Sequence, residues 1–177
     1  MSSVPIKKAP RRRPRKPESK TAAEIAAPIY IDTSALAKWY LPERFSEEVE
    51  SFVQAHAPLA ISGLTITEMR CLLARRRRAR EISIEDELRA WATFDQDVRN
   101  GHLTRHELVD PLADAAVNLI ALLPDHPLRS LDALHLAVAR HLQAKTLATA
   151  DRIMGEAASA LGLSVVRFYV AKPKSGS

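Results

Sequence analysis

The stretch IYIDTSALAKWY, residues 29–40, joins a short apolar run (Ile29, Tyr30, Ile31) to a polar junction (Asp32, Thr33, Ser34) and then to a segment with Leu36, Trp39 and Tyr40 on one helical face. A run this brief, made of β-branched and aromatic residues and closed by side chains that cap helices, reads as a buried strand feeding a helix. The same unit recurs downstream. A helix over about residues 46–55 leads to the apolar Leu59-Ala60-Ile61, and the next helix, from about Thr65, ends in an arginine run. A helix over residues 83–98 carries Ile84, Leu88, Trp91 and Val98 on one stripe. Beyond the Asn100-Gly101 break, Glu107-Leu108-Val109 is expected as a short strand and Asp110-Pro111 as the opening of a helix through Leu123. Residues 130–143 show Leu131, Leu134, Val138 and Leu142 at helical spacing; residues 146–149 read as a strand, 151–161 as a helix stopped by Gly162, and 165–168 as a last strand. Short apolar strands alternating with helices predict an α/β fold in three layers, with a central, mostly parallel sheet of about four to five strands flanked by helices.

Four acids stand out against this pattern. Asp32, Glu68, Asp132 and Asp151 each fall in the first turn of an expected helix, and Asp32 and Asp151 directly follow expected strands. Singly, each is accounted for by capping: Asp is a favoured N-cap, and Thr65-Ile66-Thr67-Glu68 has the spacing of a capping box. Together they point further, because the junctions after the strands of a parallel sheet open on one edge, where such folds place ligand crevices. Carboxylates gathered in a crevice repel one another unless they share protons or bind a cation, and an all-oxygen donor set favours Mg²⁺, with Mn²⁺ as the alternative, over zinc.

With 46% hydrophobic residues in 177, the composition suits one domain with a substantial core. The single Cys71 rules out an internal disulfide and is expected as a small buried hydrophobe, which with the absence of zinc-type spacing fits a reducing, cytoplasmic setting. No apolar run approaches the ~18 to 20 residues of a membrane span. The charge is unevenly placed. Residues 1–28 carry eight Lys/Arg against two acids, Lys172 and Lys174 lie in the tail, and residues 29–170 carry a net −3 out of the chain's +5. The basic pI therefore describes the ends and is a poor argument for nucleic-acid binding by the body. The expected organisation is a disordered basic extension (1–28), one folded domain (29–170) and a flexible tail (171–177).

The segments IYIDTSALAKWY, ISGLTITEMRCLL, LRSLDALHLAVA and LATADRIM, in this order, resemble the signature segments of PIN-domain ribonucleases, especially the VapC-like toxins of type II toxin–antitoxin pairs. The resemblance implies a PIN-like fold and a metal-dependent endoribonuclease in which Asp32, Glu68, Asp132 and Asp151 are the catalytic, metal-ligating acids and Ser34 and Thr149 the supporting hydroxyls. It also implies an RNA substrate, cleaved to leave 5′-phosphate and 3′-hydroxyl ends, and as protein partners an antitoxin and a second copy of the chain. Helix capping or a strand-end hydrogen bond would equally account for the two hydroxyls. Arg129, three residues before Asp132, is a candidate RNA phosphate contact, whereas the run Arg75–Arg78 suits either a helix C-terminus or RNA. His135 is expected to be a hydrogen-bonded core residue rather than a base. Two other classes fit parts of the pattern: a haloacid-dehalogenase-like phosphatase using Asp32, although Ser34 stands where that group has its second Asp, and a non-catalytic PIN-like binding module.

Residues 1–28 contain almost nothing to bury, so their removal should leave folding and any metal-dependent cleavage intact while making RNA affinity less salt-sensitive. A truncated chain that no longer melts cooperatively would show that this segment docks on the body.

Overall fold

The computed structural model describes residues 27–170. These form five strands, β1 (Ile29–Ile31), β2 (Leu59–Ser62), β3 (Leu103–His106), β4 (Thr146–Thr149) and β5 (Ser164–Arg167), and seven helices. The helices are α1 (Thr33–Tyr40), α2 (Ser46–His56), α3 (Gly63–Arg78), α4 (Ile84–Arg99), α5 (Pro111–Leu122), α6 (Ser130–His141) and α7 (Arg152–Ala160). The strands pair in the order β3-β2-β1-β4-β5, all parallel. The basic extension, apart from Ala27 and Pro28, and the tail from residue 171 lie outside the described residues.

Alternation along the strands builds the two cores. Ile31, Leu59, Ile61 and Ala148 face a layer containing Leu36, Val53, Met69 and Phe94 from α1–α4. Tyr30, Ala60 and Leu147 face the opposite layer, with Leu119, Leu136 and Ala157 from α5–α7. The inner strands β1, β2 and β4 are thus covered on both sides, which is why apolar residues run through them without alternation, whereas the edge strands β3 and β5 keep polar and partly exposed positions. From β1 the chain steps outward through β2 to β3, then crosses back to β4 on the other side of β1 and steps outward again to β5. The point where strand order reverses, between β1 and β4, therefore opens a crevice at the carboxyl edge.

Four expectations shift. The third strand lies at Leu103–His106 rather than 107–109, because Gly101, with φ +78°, turns the chain directly from α4 into the sheet, where His102 O accepts the Leu59 N–H. Helix α3 begins at Gly63, two residues early, so Glu68 sits in its second turn and is no cap; the Thr65 hydroxyl accepts from the Ser62 N–H instead. Cys71 is exposed rather than buried, and so is Leu131.

The apolar stripe of α4 is also rotated from its expected place, leaving Ile84 and Leu88 59% and 57% exposed while Glu87, Ala90, Phe94 and Asp97 face inward. Apolar periodicity misleads here because both inward acids have polar partners on packed side chains. Arg70 (3.1 Å) and Arg77 pair with Glu87 across the α3–α4 contact. The Tyr40 hydroxyl (3.1 Å) and His102 Nδ1 (3.3 Å) meet Asp97. Replacing Arg70 and Arg77 together by Gln strands the Glu87 charge and should cost about 2 kcal/mol, below the full value for a buried pair because the arginines are half in solvent. Adding Glu87→Gln should recover at least half of that in urea unfolding, and a triple variant no more stable than the double would rule the pairing out as the reason α4 faces this way.

Candidate active site

Asp32 follows β1, and its carboxylate is the N-cap of α1, accepting the Ala35 N–H at 3.0 Å. It also accepts the Ser34 hydroxyl at 2.8 and 2.9 Å and the Thr149 hydroxyl at 3.0 Å. Both hydroxyls are held in turn from behind. Ser34 Oγ accepts the Ala150 N–H and Thr149 Oγ1 the Asp151 N–H, each at 2.9 Å. The junctions after β1 and β4 are thereby stitched together through one carboxylate. Ser34 and Thr149 act as strand-end hydrogen-bonding groups that position it.

Asp32 is 2% exposed, and among the described residues no Lys or Arg pairs with it. Burial pushes its carboxyl above the usual carboxylate range, against the opposing pull of nearby His135 and of its hydrogen-bond donors. Three protons occupy the roughly four lone-pair positions of a carboxylate, leaving a place for a further partner.

The other acids are held differently. Asp132, at 3% exposure in the first turn of α6, takes a forked contact from Arg129, with Nε on Oδ2 at 3.0 Å and Nη2 on Oδ1 at 3.1 Å. The same Nη2 reaches Asp151 Oδ2 at 3.2 Å, while Asp151 caps α7 through Met154 N at 3.1 Å. Arg129 is 74% exposed, so this cation can leave without disturbing the core. Glu68 meets His135 Nε2 at 2.6 Å and accepts the Thr33 hydroxyl. Burial acts to raise the Glu68 carboxyl, but His135, Thr33 and Arg129 outweigh it and hold the group below its ordinary value. His135 Nδ1 meets the Tyr30 hydroxyl at 2.7 Å, which itself meets Ser62 Oγ at 3.1 Å. His135 is thus a hydrogen-bonded core residue as expected, and its further role, orienting Glu68, was missed. The signal available was its position three residues after Asp132 on the same helix.

The cleft above these groups encloses about 450 Å³, lined among others by Thr33, Glu68, Asp132, Arg75, Arg78 and Arg129. All four expected acids lie around the carboxyl edge, yet among the described residues no three His, Cys, Asp or Glu converge closely enough to hold a metal ion as arranged. Asp132 and Asp151 turn instead to the Arg129 guanidinium.

The PIN domain family model matches residues 29–160. The chain belongs to the PIN-domain family. Within it the chain is VapC-like, 32% identical over 143 residues to Ribonuclease VapC46 of Mycobacterium tuberculosis, covering 79% of this chain and 97% of that protein. The fold is shared with VapC20 of M. tuberculosis, a sarcin-ricin loop cleaving toxin, at TM-score 0.61 and 20% identity over 78% of this chain and 98% of that one. It is shared also with VapBC2 of Rickettsia felis bound to a promoter DNA fragment, at TM-score 0.55 and 17% identity, with 78% and 98% covered. Membership of the PIN family displaces the haloacid-dehalogenase alternative. Among the described residues no helix is long and apolar enough to cross a membrane.

Because burial raises the folded-state value of Asp32 above the ~3.9 of an unfolded chain, the unfolded chain holds fewer protons between the two values. Stability then falls as pH rises through that window and stays lower at neutral pH. In EDTA, Asp32→Asn, whose amide still accepts the Ala35 N–H, should melt above wild type at neutral pH, with the gap closing toward about pH 4. Equal melting across that range would mean that burial does not strain this carboxylate.

Proposed function

We propose that this PIN domain is a divalent-metal-dependent endoribonuclease, the toxin of a toxin–antitoxin pair. The observation that carries the reading is Asp32: a buried carboxylate at the switch point of the sheet, fixed by two hydroxyls and without a Lys or Arg partner among the described residues. Such a group is costly unless a cation completes it. The donor set fits Mg²⁺ or Mn²⁺, since carboxylates and hydroxyls predominate and the one nearby imidazole is committed to Tyr30 and Glu68. Asp32 and Asp132 would hold the ion, with Glu68 and Asp151 positioned for its waters or for a second ion.

When bound, such an ion supplies Lewis-acid stabilisation of phosphate charge and a water of lowered pKa. The protein's own part is positioning. Ser34 and Thr149 fix Asp32; His135 and Thr33 fix Glu68. Arg129 neutralises Asp132 and Asp151 and, being exposed, is free to turn its fork toward a phosphate once they are otherwise compensated. The similarity to Ribonuclease VapC46 supports RNA as the substrate, and the reaction proposed for it is in-line attack leaving 5′-phosphate and 3′-hydroxyl ends. An antitoxin that presents an Arg or Lys to these acids, and pairing with a second copy, follow from the same reading.

The test is to incubate the protein with a mixed RNA pool, with and without Mg²⁺, and sequence the new ends, alongside Asp132→Asn. An Asn side-chain oxygen can still accept the Arg129 N–H at the start of α6 but lacks the charge, so the variant should fold and lose at least about 100-fold in cleavage. Mg²⁺ should raise the melting temperature of wild type more than that of the variant. Full activity in Asp132→Asn, or cleavage indifferent to EDTA, would remove the metal-site assignment.

A further inference from the structure

The arginines of α3 are divided between two tasks. Arg77, with Arg70, is committed to Glu87 on α4, and Arg76 to Glu43 and Glu81. Arg75 and Arg78 are exposed, line the cleft, and have no acid partner among the described residues. Positions 68, 71, 75 and 78 are spaced by three or four and so share one helix face. That face runs from Glu68 past Cys71 to the two arginines, about 10 and 15 Å further along the axis.

The geometry points to Arg75 and Arg78 as a phosphate track that carries a single RNA strand across the cleft and delivers it to Glu68 and Asp132. This rests on the nuclease reading above. Acids repel a polyanion, and Arg129 is occupied by two of them, so a strand approaching the site needs cations that remain free. Guanidinium forks suit phosphate oxygens. A favourable pairing with the helix C-terminus applies to all four arginines of the run, and leaves unexplained why two of them face the cleft while the others face acids. RNA fits better than an acidic protein segment because the nuclease reading already brings a phosphodiester to the carboxylates at the other end of this helix face, so one strand accounts for both the arginines and the acids.

The experiment uses the full chain in EDTA with a labelled single-stranded oligoribonucleotide of mixed sequence, across a salt series. Arg75→Gln with Arg78→Gln is compared with Arg89→Gln with Arg99→Gln, an equal charge change at exposed positions of α4. Cys71, the only cysteine of the chain, lies exposed on the proposed track, so its rate of reaction with a maleimide reads occupancy of the cleft and not of the basic extension. Removing two phosphate contacts should lower the slope of log affinity against log salt by about 1.4 and weaken binding about tenfold at low salt. The α4 control should change neither. RNA should slow Cys71 labelling in wild type and control but not in the Arg75/Arg78 variant.

A slope equal to the control's, or a Cys71 that RNA does not protect in wild type, overturns the track; the first of these leaves the pair as a surface for an acidic protein segment. Cleavage assayed in parallel with Mg²⁺ separates the two claims. Wild type that binds and protects as described yet never cleaves sinks the nuclease reading alone. Wild type that cleaves, with the variant matching its kcat/KM and its binding, sinks the track alone.

Discussion

Asp32 is ionisable, buried, and surrounded by hydroxyl and amide donors rather than by lysine or arginine. Burying a carboxylate costs far more than one hydrogen bond returns, so the surroundings must compensate it, and they do so in a way that also shapes the sheet. Each donor is tied to backbone at the end of β4 or the start of α1. The carboxylate thereby fixes the relative placement of the two strands between which the strand order reverses. A single group so placed serves stability through its donors and chemistry through the position left open on it.

The remaining charges are arranged in complementary fashion. On α3 and α4 the inward acid Glu87 is neutralised by arginines, which allows a helix pair with charged residues to pack tightly without any ligand. At the carboxyl edge the balance is different. Among the described residues four acids face the exposed Arg129 guanidinium and the His135 imidazole, so the compensation is partial and can be exchanged. That contrast separates an ion-pair layer that holds the fold from a cluster that awaits a cation.

Much of this was legible in the sequence because it is local. A strand ending in Asp-Thr-Ser fixes the junction at Asp32, and the acids at 132 and 151 sit where helix starts place them. Glu68 was the right residue in the wrong turn: its Thr-x-x-Glu spacing imitates a cap, but the helix starts at Gly63, directly after β2. The exposure of Ile84 and Leu88 was hidden because pattern reading sends charges outward, and the partners of Glu87 and Asp97 lie on other elements. The link from Tyr30 through His135 to Glu68 joins residues 105 and 67 positions apart, a separation that no local spacing rule spans.

The central claim, that the carboxyl edge is a divalent-cation site, is tested most directly by anomalous scattering from crystals of the protein soaked in Mn²⁺. A peak about 2.0 to 2.2 Å from carboxylate oxygens of both Asp32 and Asp132, with the Arg129 guanidinium withdrawn from Asp132, is the predicted result. A saturated soak that leaves Arg129 bridging Asp132 and Asp151, with no peak beside Asp32, would contradict it.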